Sequence, residues 1–153
     1  KHRIADESYY VKEYIEESGT GSEILEGRNI LLAEDNDLNA EILRSMLDLK
    51  GASCVICSNG KQVVEAFEES EPDQYDAVLM DVQMPVMNGY EASRRIRTSR
   101  RPFGKTIPII ALTANAFAED IVRSSEAGMD AHITKPIDEN KLKECMLRLL
   151  ASR

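Results

Sequence analysis

Five polar residues each stand just after a short apolar run. Glu34 and Asp35 follow residues 29–33, Asp81 follows 77–80, Thr113 follows the run through 112, and Lys135 follows 131–134. Taken singly, each is ordinary: a solvated acidic pair or helix cap, a turn aspartate, a β-branched strand residue, a surface lysine. Brought to one place they form a reactive set. Three adjacent carboxylates raise one another's pKa unless cations neutralise them. A hard divalent ion such as Mg²⁺, held by oxygen ligands, suits such a cluster. Lys135 adds a fixed positive charge, and the Thr113 hydroxyl could hydrogen-bond an added phosphoryl oxygen. Phosphoryl transfer to a carboxylate needs a nucleophile, a metal and donors around the equatorial oxygens. Asp81 is the best nucleophile because it ends the central run, between the others.

The segments that must position this set alternate in type. Residues 29–33, 77–80 and 107–112 are apolar runs that predict buried strands, and 53–57 and 131–134 are weaker ones. Helical spacing separates them. Leu38, Ile42, Leu43, Met46 and Leu47 mark a first helix, capped by Asn36 or Asp37 and ended by Gly51. Val63, Val64 and Phe67 mark a second, Ala92 and Ile96 a third, and Phe117, Ile121 and Val122 a fourth. Leu142, Cys145, Met146 and Leu149 mark the last, with Asp138 as its cap. Five strands alternating with five helices predict an α/β fold, a parallel sheet covered on both faces. Ligands in such sheets bind beyond the carboxyl ends of the strands, where all five polar residues fall.

The chain has 153 residues and is 42% hydrophobic, enough for one core. Its net charge of −8 opposes a phosphate backbone, so no nucleic-acid partner is expected. A basic cluster, Arg94, Arg95, Arg97, Arg100, Arg101 and Lys105, reads as solvated helix-end charge, or else as a docking patch for an acidic partner. No apolar run is long enough to span a membrane and no secretory signal pattern is present, so this piece is expected in the cytoplasm without membrane contact of its own. The missing initial methionine suggests a fragment of a longer polypeptide, whose parent could be membrane-anchored. Residues 1–27 differ from the rest, with Tyr9, Tyr10, Val11, Tyr14 and Ile15 among glutamates and then Ser18-Gly19-Thr20-Gly21-Ser22. They predict a tether, in part helical, ahead of a domain over 28–153.

Cys54 and Cys57 have a C-x-x-C spacing, but three residues of extended strand separate Cα atoms by roughly 10 Å, too far for a disulfide. Both, and Cys145, are expected as packing thiols.

From residue 28 to about 151 the chain resembles the response-regulator receiver family. The resemblance rests on Ala33-Glu34-Asp35-Asn36, on Met80-Asp81-Val82-Gln83-Met84-Pro85 running on to Asn88-Gly89, on Ala111-Leu112-Thr113-Ala114 and on Thr134-Lys135-Pro136. It implies a flavodoxin-like (βα)5 doubly wound sheet in the order 2-1-3-4-5 and a cis peptide before Pro136. Asp81 would then be the phosphoacceptor. Asp35 would bind Mg²⁺ directly, Glu34 through water and Gln83 through its backbone carbonyl. Lys135 would pair with the phosphoryl group and Thr113 would move toward it. His132 stands where many receivers carry Tyr or Phe. In that switch role its titration near pH 6.5 would make the output depend on pH.

Among receivers, the stretches 84–91 and 109–116 look most like those at the C-terminus of hybrid sensor histidine kinases. Partners would be the phosphohistidine domain of a histidine kinase, a histidine phosphotransfer protein, or both, and a homodimer is one assembly such a module could form. Alternatives are a single-domain response regulator and a module independent of phosphorylation. A Mg²⁺-dependent phosphohydrolase is a third, although Gln83 occupies the place of its usual second aspartate. The expected chemistry is phosphoacceptance, with at most self-catalysed phosphorylation and dephosphorylation.

Overall fold

The computed structural model describes residues 25–115 and 117–151. Residues 1–24 of the expected tether lie outside that range. Leu25, within it, is fully buried against the core.

Five strands, β1 (Asn29–Ala33), β2 (Ser53–Cys57), β3 (Ala77–Asp81), β4 (Ile109–Thr113) and β5 (Ala131–Thr134), form one parallel sheet in the order β2-β1-β3-β4-β5. Helices α1 (Asp37–Asp48), α2 (Gly60–Glu68), α3 (Gly89–Arg97) and α4 (Ala118–Glu126) are the crossovers, and α5 (Glu139–Ala151) follows the last strand. The flavodoxin-like order implied by the resemblance is the one observed.

Strands β3 and β4 are buried at every position, as expected of central strands apolar on both faces. Alternate residues feed two cores. Ile30, Leu32, Leu79, Ile110 and Leu112 meet α1 and α5 through Leu43, Leu47, Leu142 and Leu147. Leu31, Val78, Met80, Ile109 and Ala111 meet α2 and α3 through Val63, Phe67, Tyr90 and Ile96 on the other face.

Asparagines start three helices: the side chains of Asn36, Asn59 and Asn88 accept from the amides of Asn39, Gln62 and Glu91, each at 2.9 Å. Asp138 caps α5 by accepting from Asn140 and Lys141. Beyond α1 the chain turns at Gly51 (φ +82), a conformation in which a glycine carries no Cβ penalty.

Three expectations need correction. The buried side of α1 is Ala40, Leu43 and Leu47, whereas Leu38 and Ile42 face solvent, Leu38 at 70% exposure. Phe117, Ile121 and Val122 at the fourth helix are likewise exposed, Phe117 at 63%. In both cases apolar residues on the outer face carry helical spacing that cannot by itself say which face is covered. The fourth strand begins at Ile109, because Ile107 and Pro108 belong to the approach, where the Pro108 carbonyl accepts from Val78.

The cysteines are all unpaired thiols in the structure. Cys57 is buried in the α2/α3 core, and Cys54 and Cys145 pack against the other. Among the described residues, no helix is long and apolar enough to cross a membrane.

Candidate functional site

Register assembles the site. Ala33 of β1 lies opposite Met80 of β3, so the next residues, Glu34 and Asp81, emerge side by side. On the other flank Asp81 is opposite Leu112, and Thr113 is opposite Thr134, so Thr113 and Lys135 emerge at the same sheet edge. The point where β1 and β3 send their crossovers to opposite faces leaves a crevice there, the usual ligand position of such sheets.

Asp81 is 3% exposed, and both its oxygens are engaged: Oδ1 accepts from the Gln83 amide at 3.1 Å, and Oδ2 accepts from Lys135 Nζ at 2.8 Å. Lys135 reaches this position from two strands away, with its amide donating to the Thr113 carbonyl at 2.7 Å and its bond to Pro136 cis. The same ammonium lies 3.3 Å from Glu34 Oε1. Glu34 is 2% exposed; its Oε2 accepts from the Asn36 amide, whereas the buried Oε1 has no hydrogen-bond partner among the described residues beyond that ionic contact. Asp35 is exposed at the mouth.

Burial pushes the Glu34 carboxyl above its usual pKa; the Asn36 amide and Lys135 pull it back, and the charge of Asp81 adds to the rise. For Lys135, partial burial alone would lower the pKa. The hydrogen bond to Asp81 and the charges of Asp81 and Glu34 outweigh it, so the ammonium is held more firmly protonated than a free lysine.

Oxygens of Glu34, Asp35 and Asp81 all lie within 4.8 Å of one another. An all-oxygen donor set with one buried oxygen lacking a hydrogen bond fits a hard divalent cation better than a soft one. An open cleft of about 510 Å³ lies beside the cluster, lined by Asp35, Gln83, Thr113 and Asn115 among others. In it the Thr113 hydroxyl is turned onto its own loop, donating to the Asn115 carbonyl at 2.9 Å and accepting from the Asn115 amide at 3.2 Å.

The start of α3 packs directly on the end of β3 because residue 89 is glycine: a Cβ there would clash with the Asp81 carbonyl oxygen, and the Gly89 amide donates to the Val82 carbonyl. A contact that spacing alone could not reveal is Arg123 of α4, stacked 4.3 Å from the ring centroid of Tyr90 on the cleft wall. His132 is half-buried on β5, opposite Ala111 of β4 and two strands away from β3. The geometry thus brings Glu34, Asp35, Asp81 and Lys135 into one cluster, with Gln83 and Thr113 at its rim. His132 stands apart from it.

Residues 30–147 match the response regulator receiver domain family. The chain is 39% identical over 133 residues to a probable histidine kinase 2 of Oryza sativa subsp. indica, covering 80% of this chain and 13% of that protein. It is 38% identical over 127 residues to the hybrid signal transduction histidine kinase I of Dictyostelium discoideum, covering 82% of this chain and 7% of that one. The chain therefore spans only a small part of these relatives. Among solved structures, the receiver domain of a sensor histidine kinase from Pseudomonas aeruginosa PAO1, with a magnesium ion coordinated in its active site cleft, superposes with a TM-score of 0.74 at 38% identity. That likeness covers 82% of this chain and 98% of the other. With a parallel sheet in the order 2-1-3-4-5 and a match over most of its length, the chain belongs to the response regulator receiver domain family of two-component signalling.

Proposed function

We propose that Asp81 accepts a phosphoryl group from a phosphohistidine, as the receiver of a hybrid sensor histidine kinase. The observation that carries this is the placement of Asp81: buried, hydrogen-bonded to Lys135 at 2.8 Å, and grouped with two further carboxylates. An Asp81 oxygen attacks phosphorus, a P–O bond forms, and the P–N bond breaks with its electron pair leaving on the imidazole, which is protonated. The product is a mixed anhydride, labile enough to make the mark temporary.

Asp35, Asp81 and the Gln83 backbone carbonyl would hold Mg²⁺, with Glu34 reaching it through water. Bound there, the ion would offset the charge that builds on the phosphoryl oxygens. Lys135 moves from a carboxylate partner to a phosphoryl oxygen and keeps its proton throughout, since its surroundings raise its pKa. The Thr113 hydroxyl leaves the Asn115 backbone to donate to another phosphoryl oxygen, and His132 takes the place of the aromatic switch. The result is an equilibrium between two conformations, read at the surface.

The donor would be a kinase phosphohistidine domain or a histidine phosphotransfer protein, the location cytoplasmic, and residues 1–27 a tether ahead of a receiver over 28–153. A phosphohydrolase reading gains nothing from the site. The group two residues after Asp81 is Gln83, which cannot act as a general acid.

Incubation with acetyl phosphate and Mg²⁺ tests the proposal. The wild-type chain should gain the mass of one phosphoryl group, lost on removal of Mg²⁺, and Asp81→Asn should gain none. Equal phosphorylation of Asp81→Asn overturns the assignment.

A further inference from the structure

The far end of the sheet, opposite the carboxylate cluster, carries a second feature that phosphoryl chemistry does not use. The α3–β4 loop encloses an open hollow of about 490 Å³ lined by Ser99, Arg100, Arg101, Phe103 and Lys105, among others. Other members of the basic cluster are already committed. Arg94 and Arg95 pair with Glu91, and Arg97 bonds the Gly104 and Gly128 carbonyls and Asp130. The cations facing the hollow are less satisfied. Arg100 has no ion pair or hydrogen bond among the described residues, and Arg101 spends one nitrogen on the Ser70 carbonyl while its buried Nε has no partner. Among the described residues the Lys105 ammonium reaches only the Arg97 carbonyl, at 3.3 Å. Phe103 is held at φ +70 and is 41% exposed at the rim, a backbone conformation rare for an aromatic residue and one that turns apolar area outward.

In a chain of net charge −8, a hollow with three cations and one exposed ring has the chemistry that complements carboxylates interleaved with aromatic side chains. That chemistry is present in the same polypeptide. Residues 1–24 hold Asp6, Glu7, Glu13, Glu16, Glu17 and Glu23 against Lys1, Arg3 and Lys12, with Tyr9, Tyr10 and Tyr14 between them. Their C-terminal end joins Leu25, anchored in the core just ahead of β1, at the same end of the sheet as the hollow. Strand β1 is two strand spacings from β4, roughly 10 Å. Eight residues of chain, from Glu17 to Leu25, span up to roughly 26 Å.

We infer that the acidic, tyrosine-bearing segment before Leu25 docks in the basic hollow of the α3–β4 loop of its own chain, its glutamates on Arg100, Arg101 and Lys105. Tethering raises the segment's effective concentration at the hollow far above that of a free peptide, so modest ion pairs suffice. This contact is independent of the phosphoryl site, which lies at the other end of the sheet.

Carbodiimide cross-linking of the whole chain reads the contact, because it joins a lysine to a carboxylate only where the two touch. Lys50 and Glu139, 3.5 Å apart, supply an internal control that also reports folding. Mixing isotope-labelled and unlabelled chains separates links within one molecule from links between two. The expected product joins Lys105 to Glu13, Glu16 or Glu17 within one molecule, and Arg100→Glu, alone or with Arg101→Glu, should lower its yield about tenfold while the Lys50–Glu139 link persists. The inference is overturned if the control link forms and Lys105 does not join residues 1–24, if the link forms only between molecules, or if reversing Arg100 leaves the yield unchanged.

Discussion

Lys135 neutralises two buried carboxylates with one ammonium, and much of the electrostatics of the cluster follows from that ratio. Replacing it by Met leaves Glu34 and Asp81 facing each other without a cation. The side chain is 27% exposed, so water would screen part of the repulsion, and a loss of about 1–2 kcal/mol in denaturant unfolding is expected. Asp81→Asn in the same background should recover part of that loss by removing one of the two charges. The Cys57 thiol at the end of β2, facing the α2/α3 core, offers an independent residue-scale measurement. Burial pushes the pKa of Cys57 up to about 11 from 9.0, so the folded state holds this proton more tightly than the unfolded chain does. Its contribution to stability is complete below pH 9 and fades between pH 9 and 11. At pH 8 iodoacetamide should label Cys57 only in denaturant. Mass-mapped labelling of the native protein as fast as of the unfolded chain would show that reading to be wrong.

At the scale of elements, strands were easier to read in the sequence than helix faces. Residues 77–80 form an uninterrupted apolar run that must be buried in a parallel sheet, and 131–134 a weaker one at the sheet edge with only Ile133 buried; the observed β3 and β5 match both within one residue. Helix α1 carries two interleaved sets of apolar residues, Leu38 and Ile42 on one side, continued by Leu49 at its C-cap, and Ala40, Leu43 and Leu47 on the other. Only the sheet decides between them, by accepting the stripe with the small Ala40. At α4 the reason differs: the helix residue that is buried is the small polar Ser124, so Phe117 at the N-cap, Ile121 and Val122 held the only apolar spacing there and yet lie outside. Substitution should separate the two kinds of apolar residue. Leu147→Ala, fully buried on α5, should cost about 2–5 kcal/mol, and Val122→Ser on exposed α4 should stay within about 0.5 kcal/mol, both by chemical denaturation. The cluster was legible as far as which loops converge. That Lys135 would bridge both Glu34 and Asp81, and that Thr113 would rest on the Asn115 backbone, depends on side-chain torsions, on which residue spacing is silent.

For the molecule as a whole, the sheet separates two ends with different tasks: carboxylates and the cleft beyond the strand C-termini, guanidinium groups beneath their N-termini. Arg97 sits at the second end and makes three contacts at once, to the Gly104 carbonyl of the α3–β4 loop and, in the turn after α4, to the Gly128 carbonyl and Asp130, which also accepts from the Ile109 amide. Lysine cannot reproduce this fork. Arg97→Lys should lower the unfolding free energy by about 1–3 kcal/mol, measured by urea titration, because at least one carbonyl in a half-buried setting is left without a donor. A neutral result would mean that water replaces the guanidinium at little cost. Because one planar group clasps the loop, the turn and the leading edge of β4, these pieces share a single latch. Fluctuations that release one of them must release the others, and the amides around residues 104, 109 and 128 should exchange hydrogen as one cooperative unit.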